Sequence, residues 1–167
     1  MTGKFQSILL GGLIVGLLGS LFGLAQFGVQ SQVLGWLACC VVPTTGAFVS
    51  TWHYASTNAI TIPQGQGATI GLAACLLGYA ISAVLSVLIS LTGLIPNPFD
   101  AEAVMQLTRE RMMQSGSSAE QIDKATEFVG HYFYLFNIIA VIAYGLLGAV
   151  AGAIGANLFK RGSAQPE

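Results

Sequence analysis

The chain has 167 residues, of which 54% are hydrophobic and 8% charged, with a formal net charge of -1 and a mean hydropathy of +0.72. This composition lies outside the range of ordinary soluble domains, and a near-neutral charge with no basic stripe excludes the electrostatic footprint of a nucleic-acid binder. From Phe5 to Phe99 there is no Asp, Glu, Lys or Arg; a water-facing surface cannot be covered that way, whereas lipid penalises each charge at a helix centre by ~2.5 to 3.5 kcal/mol.

Hydrocarbon about 30 Å thick needs about 20 apolar helical residues. Four segments meet that length, residues 7–29, 33–52, 68–95 and 132–159. Their apolar runs, such as Ile8-Leu9-Leu10 and Ile138-Ile139-Ala140-Val141-Ile142, are continuous, whereas a transmembrane barrel strand alternates at period two. The expected fold is an all-α integral membrane protein, residues 1–167 forming a single membrane domain. A two-helix extramembrane insert at residues 97–130 separates the third and fourth spans.

The first span follows Lys4 and carries Gly12, Gly16 and Ser20, with Gly19 and Gly23 beside them. Gly23-Leu24-Ala25 offers small residues where a signal peptidase would cut, but the apolar run continues past Ala25 toward a hairpin. The span is expected to be retained. In the second span Pro43 removes an amide donor and should kink the helix, with Thr44 and Thr45 able to satisfy freed carbonyls. It closes on Trp52, His53 and Tyr54, amphipathic rings of the kind that anchor a span at the membrane interface. His53 is also the one group in the uncharged half that titrates near neutral pH, which leaves a proton-sensing role for it or for His131 as the minor alternative.

The third span repeats small residues at intervals of four: Ala74, Gly78, Ser82, Ser86 and Ser90. Each step overshoots a helical turn by about 40°, so the stripe winds through roughly 160°. It should touch two neighbours or cross one. In the insert, Asp100 is placed to cap a helix that stops at Ser115-Gly116-Ser117. Ser118-Ala119-Glu120-Gln121 then forms a capping box opening a second helix that can run on into the fourth span. Ala101, Val104, Met105, Thr108 and Met112 form a weakly apolar face, expected to lie on the membrane or the bundle, with partner docking as the alternative. The fourth span opens on His131, Tyr132 and Tyr134, again interfacial anchors, holds Asn137 as the one amide well inside a span, and carries Gly148, Gly152 and Ala156. Asn137 is the candidate for a buried hydrogen bond across helices.

Lys4, Lys160 and Arg161 lie at the two ends of the chain, so an even helix count and the excess of Lys and Arg on the cytoplasmic side place both termini in the cytoplasm. Cys39, Cys40 and Cys75 fall inside apolar runs without a CxxC spacing, which suits small packing residues and gives no disulfide framework.

Close helix packing in lipid depends on small residues, and the stripes serve intramolecular packing first, with homo-oligomerisation or gating as alternatives. No ionisable group lies at a bilayer centre, as proton-coupled transport usually needs. No catalytic, cofactor-binding or metal-ligating constellation is present in the sequence. The expected function is that of a small non-enzymatic membrane protein with the lipid bilayer as its medium. It would act through association with another copy or a membrane-protein partner, the alternative being a transporter or channel subunit for a neutral or apolar solute.

The order of parts also resembles a known family. Two spans, a linker with Gln66-Gly67-Ala68, a third span, an insert reading Arg109-Glu110-Arg111-Met112-Met113-Gln114, then Gly116 and Ser118-Ala119-Glu120-Gln121-Ile122, and a last span ending in Lys160-Arg161 are similar to bacterial membrane proteins catalogued only as a domain of unknown function. The chain departs from that pattern at Ile62-Pro63 and in its less charged insert. The resemblance implies four helices in the bacterial inner membrane and carries no activity with it.

Overall fold

The structure is a computed structural model that describes residues 3–28 and 35–159. The expected turn between the first two spans, the first two residues of the expected second span and the basic pair Lys160-Arg161 lie outside the described residues. All regular structure among those residues is helical: α1 (Lys4–Gly28), a π-helical turn (Leu37–Val41) leading into α2 (Val42–Asn58), α3 (Gln64–Ser90), α4 (Ala101–Gln114) and α5 (Ala119–Leu158). The chain divides into two compact units, one formed by Met1–Ala83 with Val141–Glu167 and the other by Val84–Ala140.

Among the described residues three helices, not four, are long and apolar enough to cross a bilayer: α1 over Lys4–Ala25, α3 and α5. The shortfall is in the second expected span. Residues 35–36 are helical and lead through the π-turn at Leu37–Val41; the regular α-helical part from Val42 has 17 residues, about 26 Å of rise, and it runs on past Trp52 through the polar stretch Ser56-Thr57-Asn58. The third expected span, residues 68–95, is displaced toward the N-terminus. It starts at Gln64, just after Pro63, whose carbonyl accepts from the Gln66 and Gly67 amides. It ends at Ser90, followed by a turn in which Gly93 takes the chain away at φ +75°.

In the first unit the backbones approach through small residues. Cys75, Gly71 and Gly67 on α3 meet Gly148, Gly152 and Ala156 on α5 in antiparallel order, and a Cβ added at Gly148 would stand 2.6 Å from both the Cys75 sulfur and the Gly71 carbonyl oxygen. One helical turn farther along α3 the partner changes. Gly78 faces Val15 and the Gly12 carbonyl of α1, while Leu77 and Ile81 fill the space over Gly12 and Gly16. α3 therefore packs its first half closely against α5 and passes to α1 at Gly78, beyond Cys75. α1 is shared in turn, because Gly11 rests on Gly46 and Ser50 of α2. The buried apolar centre is Val15, Val42, Ala47, Cys75 and Ala151. Leu13, Leu17 and Leu21 of α1 and Leu146, Val150 and Ile154 of α5 remain exposed.

In the second unit α4 and the first half of α5 form a hairpin. The Asp100 carboxylate accepts from the Glu102 and Ala103 amides at the start of α4, and Gly116 at φ +76° breaks the chain. The Ser118 amide donates to the Gln121 side chain at 3.0 Å while the Gln121 amide donates to the Ser118 hydroxyl at 3.4 Å. The second insert helix and the fourth expected span are one 40-residue helix, since nothing between Ala119 and Leu158 interrupts the amide ladder: no proline, and glycines spaced singly. The weakly apolar face of α4 is turned inward at Met105, whose sulfur lies over Gly130 of α5, and Arg109 bridges to Asp123 at 2.8 Å.

Candidate functional site

Polar side chains in the first unit collect at the end where α1 starts, α2 finishes, α3 starts and α5 finishes. Ser7 is fully buried and its hydroxyl lies 2.9 Å from His53 Nδ1. Gln66 Nε2 donates to the Tyr54 hydroxyl at 3.3 Å, and Gln64 Nε2 donates to Asn157 Oδ1 at 3.0 Å. His53 also borders a groove of about 340 Å³ walled by Phe5, Gln6, Leu9, Leu10 and Leu13. A serine beside a histidine suggests nucleophilic catalysis, but that chemistry needs an accessible hydroxyl and an acid to orient the imidazole. Ser7 has no exposure, and no Asp or Glu occurs between Phe5 and Phe99. The pair acts as a tie between α1 and α2.

A second cluster surrounds the helix defect before Pro43. In the π register the Val42 amide bonds the Leu37 carbonyl, so the next amide would bond Ala38, and Pro43 has none. The Ala38 carbonyl instead accepts the Tyr144 hydroxyl of α5 at 3.1 Å. Thr44 and Thr45 donate to the carbonyls of Cys40 and Val41, and the Cys75 thiol donates to the Pro43 carbonyl at 3.2 Å. Tyr79 stacks edge-on against Tyr144 with ring centroids 5.6 Å apart. The proline defect is thus satisfied from its own helix and from two others. π-turns often mark functional positions, but here the carbonyls of Leu37, Ala38, Cys40, Val41 and Pro43 all have partners within the chain.

The residues singled out by sequence fall into separate places. Gly12, Gly16, Gly78, Gly148 and Gly152 lie in the helix contacts described above. Ser82 lies 3.4 Å from Ser20 of α1, whose hydroxyl also donates to Gly16. Ser86 and Ser90 belong to the second unit, Ser90 bonding its own helix. Asn137 does not reach another helix through its amide nitrogen, which donates to the Phe133 carbonyl one turn back. Trp52 is exposed and Tyr54 joins the polar end. Cys39 and Cys40 are exposed and Cys75 is buried, all three as free thiols. His131 stands edge-on to Tyr132 at 4.8 Å beside a groove of about 360 Å³ on α5. Among the described residues no group of three or more His, Cys, Asp or Glu is arranged to hold a metal.

Sequence reasoning missed the Ser7–His53 tie, the Tyr144 latch and the ridge of Gly67 and Gly71. Only the last had a signal. Gly67 and Gly71 stand four apart and lead into Cys75, but Gly67 sat in what read as a polar linker. The other two join residues 46 and 106 positions apart, and no local pattern encodes such pairings. No protein-family model matches the chain, and no curated protein or solved structure shows significant similarity to it.

Proposed function

We propose that this chain is a non-enzymatic multi-pass membrane protein of the bacterial inner membrane. It has four membrane helices, both termini in the cytoplasm, and acts by association with a membrane-protein partner. The observation that carries the reading is the closure of the small-residue ridges. Gly67, Gly71, Gly148 and Gly152 are pressed backbone to backbone within the chain, the contact that lipid-embedded helices use in place of a hydrophobic drive. The exposed leucine faces of α1 and α5 are what acyl chains would meet.

Closure of the ridges also removes them as a dimerisation surface. Association then falls to the outward hairpin of α4 and the first half of α5, which holds most of the charge. The solute-conducting alternative loses support at Thr44, Thr45 and Asn137, which donate to carbonyls of their own helices, and at Ser82, which is paired with Ser20 of α1. The test is photocrosslinking in intact membranes. A photoreactive side chain at exposed Met113 should yield a discrete adduct with a second protein, and one at Leu17 should yield lipid adducts only. A Met113 probe that captures nothing but lipid or water, with native mass spectrometry showing a solitary monomer, would overturn the reading.

A further inference from the structure

The exposed face of α5 above its apolar half carries residues in an order that matches a lipid headgroup. Lys124, Glu127, Phe128, His131 and Tyr132 recur at three- and four-residue steps and border the groove of about 360 Å³. The Phe128 and Tyr132 rings lie 4.9 Å apart at 52°, and His131 stands at 78° to Tyr132, so the walls are tilted aromatic faces. Lys124 is already held by Glu120 at 2.6 Å, whereas Glu127 is in no ion pair among the described residues. A carboxylate in no ion pair that shares a groove with aromatic rings is chemistry that takes an ammonium group.

The depth of these groups adds a second argument. Tyr132 is the amphipathic ring at the start of the apolar half of α5, where such rings mark the hydrocarbon boundary. Phe128 and Glu127 lie four and five residues earlier in the chain, about 6 to 7.5 Å above it at 1.5 Å per residue. Headgroup regions are about 5 to 8 Å thick on each side of a bilayer. Hydrogen-bond donors, the Tyr132 hydroxyl and the His131 ring, therefore sit low. The carboxylate sits one turn higher. A zwitterionic phospholipid has the same polarity, with phosphate next to the acyl chains and ammonium outside it.

Resting on the membrane reading above, we infer that this face of α5 binds the headgroup of an ammonium-bearing phospholipid. The phosphate accepts from Tyr132 and His131, and the ammonium lies between Glu127 and the Phe128 ring. Lys124, tied to Glu120, closes the outer wall.

The full chain in mild detergent, titrated with phosphatidylethanolamine or phosphatidylglycerol of identical acyl chains and read by native mass spectrometry, tests this. The expected result is a preference for phosphatidylethanolamine of about fivefold, the ratio that ~1 kcal/mol gives. It should fall to near one in Glu127→Gln and be reduced in Phe128→Leu, with helicity and elution volume unchanged in both. Equal retention of the two lipids, preference for the anionic one, or a preference that survives Glu127→Gln would each overturn the inference. So would displacement of the lipid by an equal concentration of free phosphoethanolamine. Alkaline extraction separates the two readings: release of the chain from membranes defeats the membrane reading, whereas retention without lipid preference defeats this inference alone.

Discussion

Single residues carry stability here mainly by closing backbone groups that would otherwise be orphaned. Tyr144 supplies the hydrogen that Pro43 lacks, so Tyr144→Phe leaves the Ala38 carbonyl without its partner and should cost ~1 to 3 kcal/mol. Unfolding in mixed micelles with increasing denaturing detergent would measure it. Ala59 ends α2 in the left-handed region at φ 54°, with the Ile60 amide closing on Ala55, an arrangement that glycine adopts without the Cβ clash. Ala59→Gly should therefore stabilise, by up to ~1 kcal/mol, in the same assay. His53→Ala would strand the buried Ser7 hydroxyl and should destabilise by a similar ~1 to 3 kcal/mol. Much of this scale was legible in sequence where the partners are local. Asp100, Gly116 and the Ser118–Gln121 box announce themselves by residue type within a few positions. Asn137 was not legible, because a lone amide in an apolar span can turn either to a neighbour or to its own helix, and only the packing decides which.

At the scale of the element, α3 has the clearest division of labour. Its winding stripe of small residues forces a change of neighbour, and the change falls between Cys75, which faces Gly148, and Gly78, which faces Val15. Gly71→Leu should separate α3 from α5 and prevent native packing, because even a Cβ there collides with the Gly148 carbonyl. Gly23→Ala, at a position with open space around it, should be neutral or slightly stabilising through helix propensity. Comparing the two variants by size-exclusion chromatography and detergent denaturation isolates the packing effect. α2 shows where an element escapes a sequence reading. Hydropathy places its span at residues 33–52, whereas a π-turn before the proline divides the described helix and its regular part, Val42–Asn58, extends into polar sequence, where the Ser56, Thr57 and Asn58 side chains donate to carbonyls of their own helix. α5 shows the opposite, an insert helix and a span fused because no residue type between them stops a helix.

At the scale of the molecule, the chain has one unit packed through small residues, with no charged residue from Phe5 to Ala83, and a second that holds most of the charge. The apolar class of the chain and its all-helical character were written in composition and run length. The function was not, since the residues that pack helices in lipid are chemically inert and identify no reaction. Four crossings of the bilayer, with α2 included despite its π-turn, would fix the side of the membrane on which three positions lie. In a variant with Cys39, Cys40 and Cys75 replaced by Ala, single cysteines at Gly3, Gly65 and Gln114 would be challenged with a membrane-impermeant maleimide. The account predicts labelling of Gln114→Cys in intact cells, and of Gly3→Cys and Gly65→Cys only after permeabilisation. Gly3→Cys and Gly65→Cys on opposite sides, or all three labelled in intact cells, would contradict it.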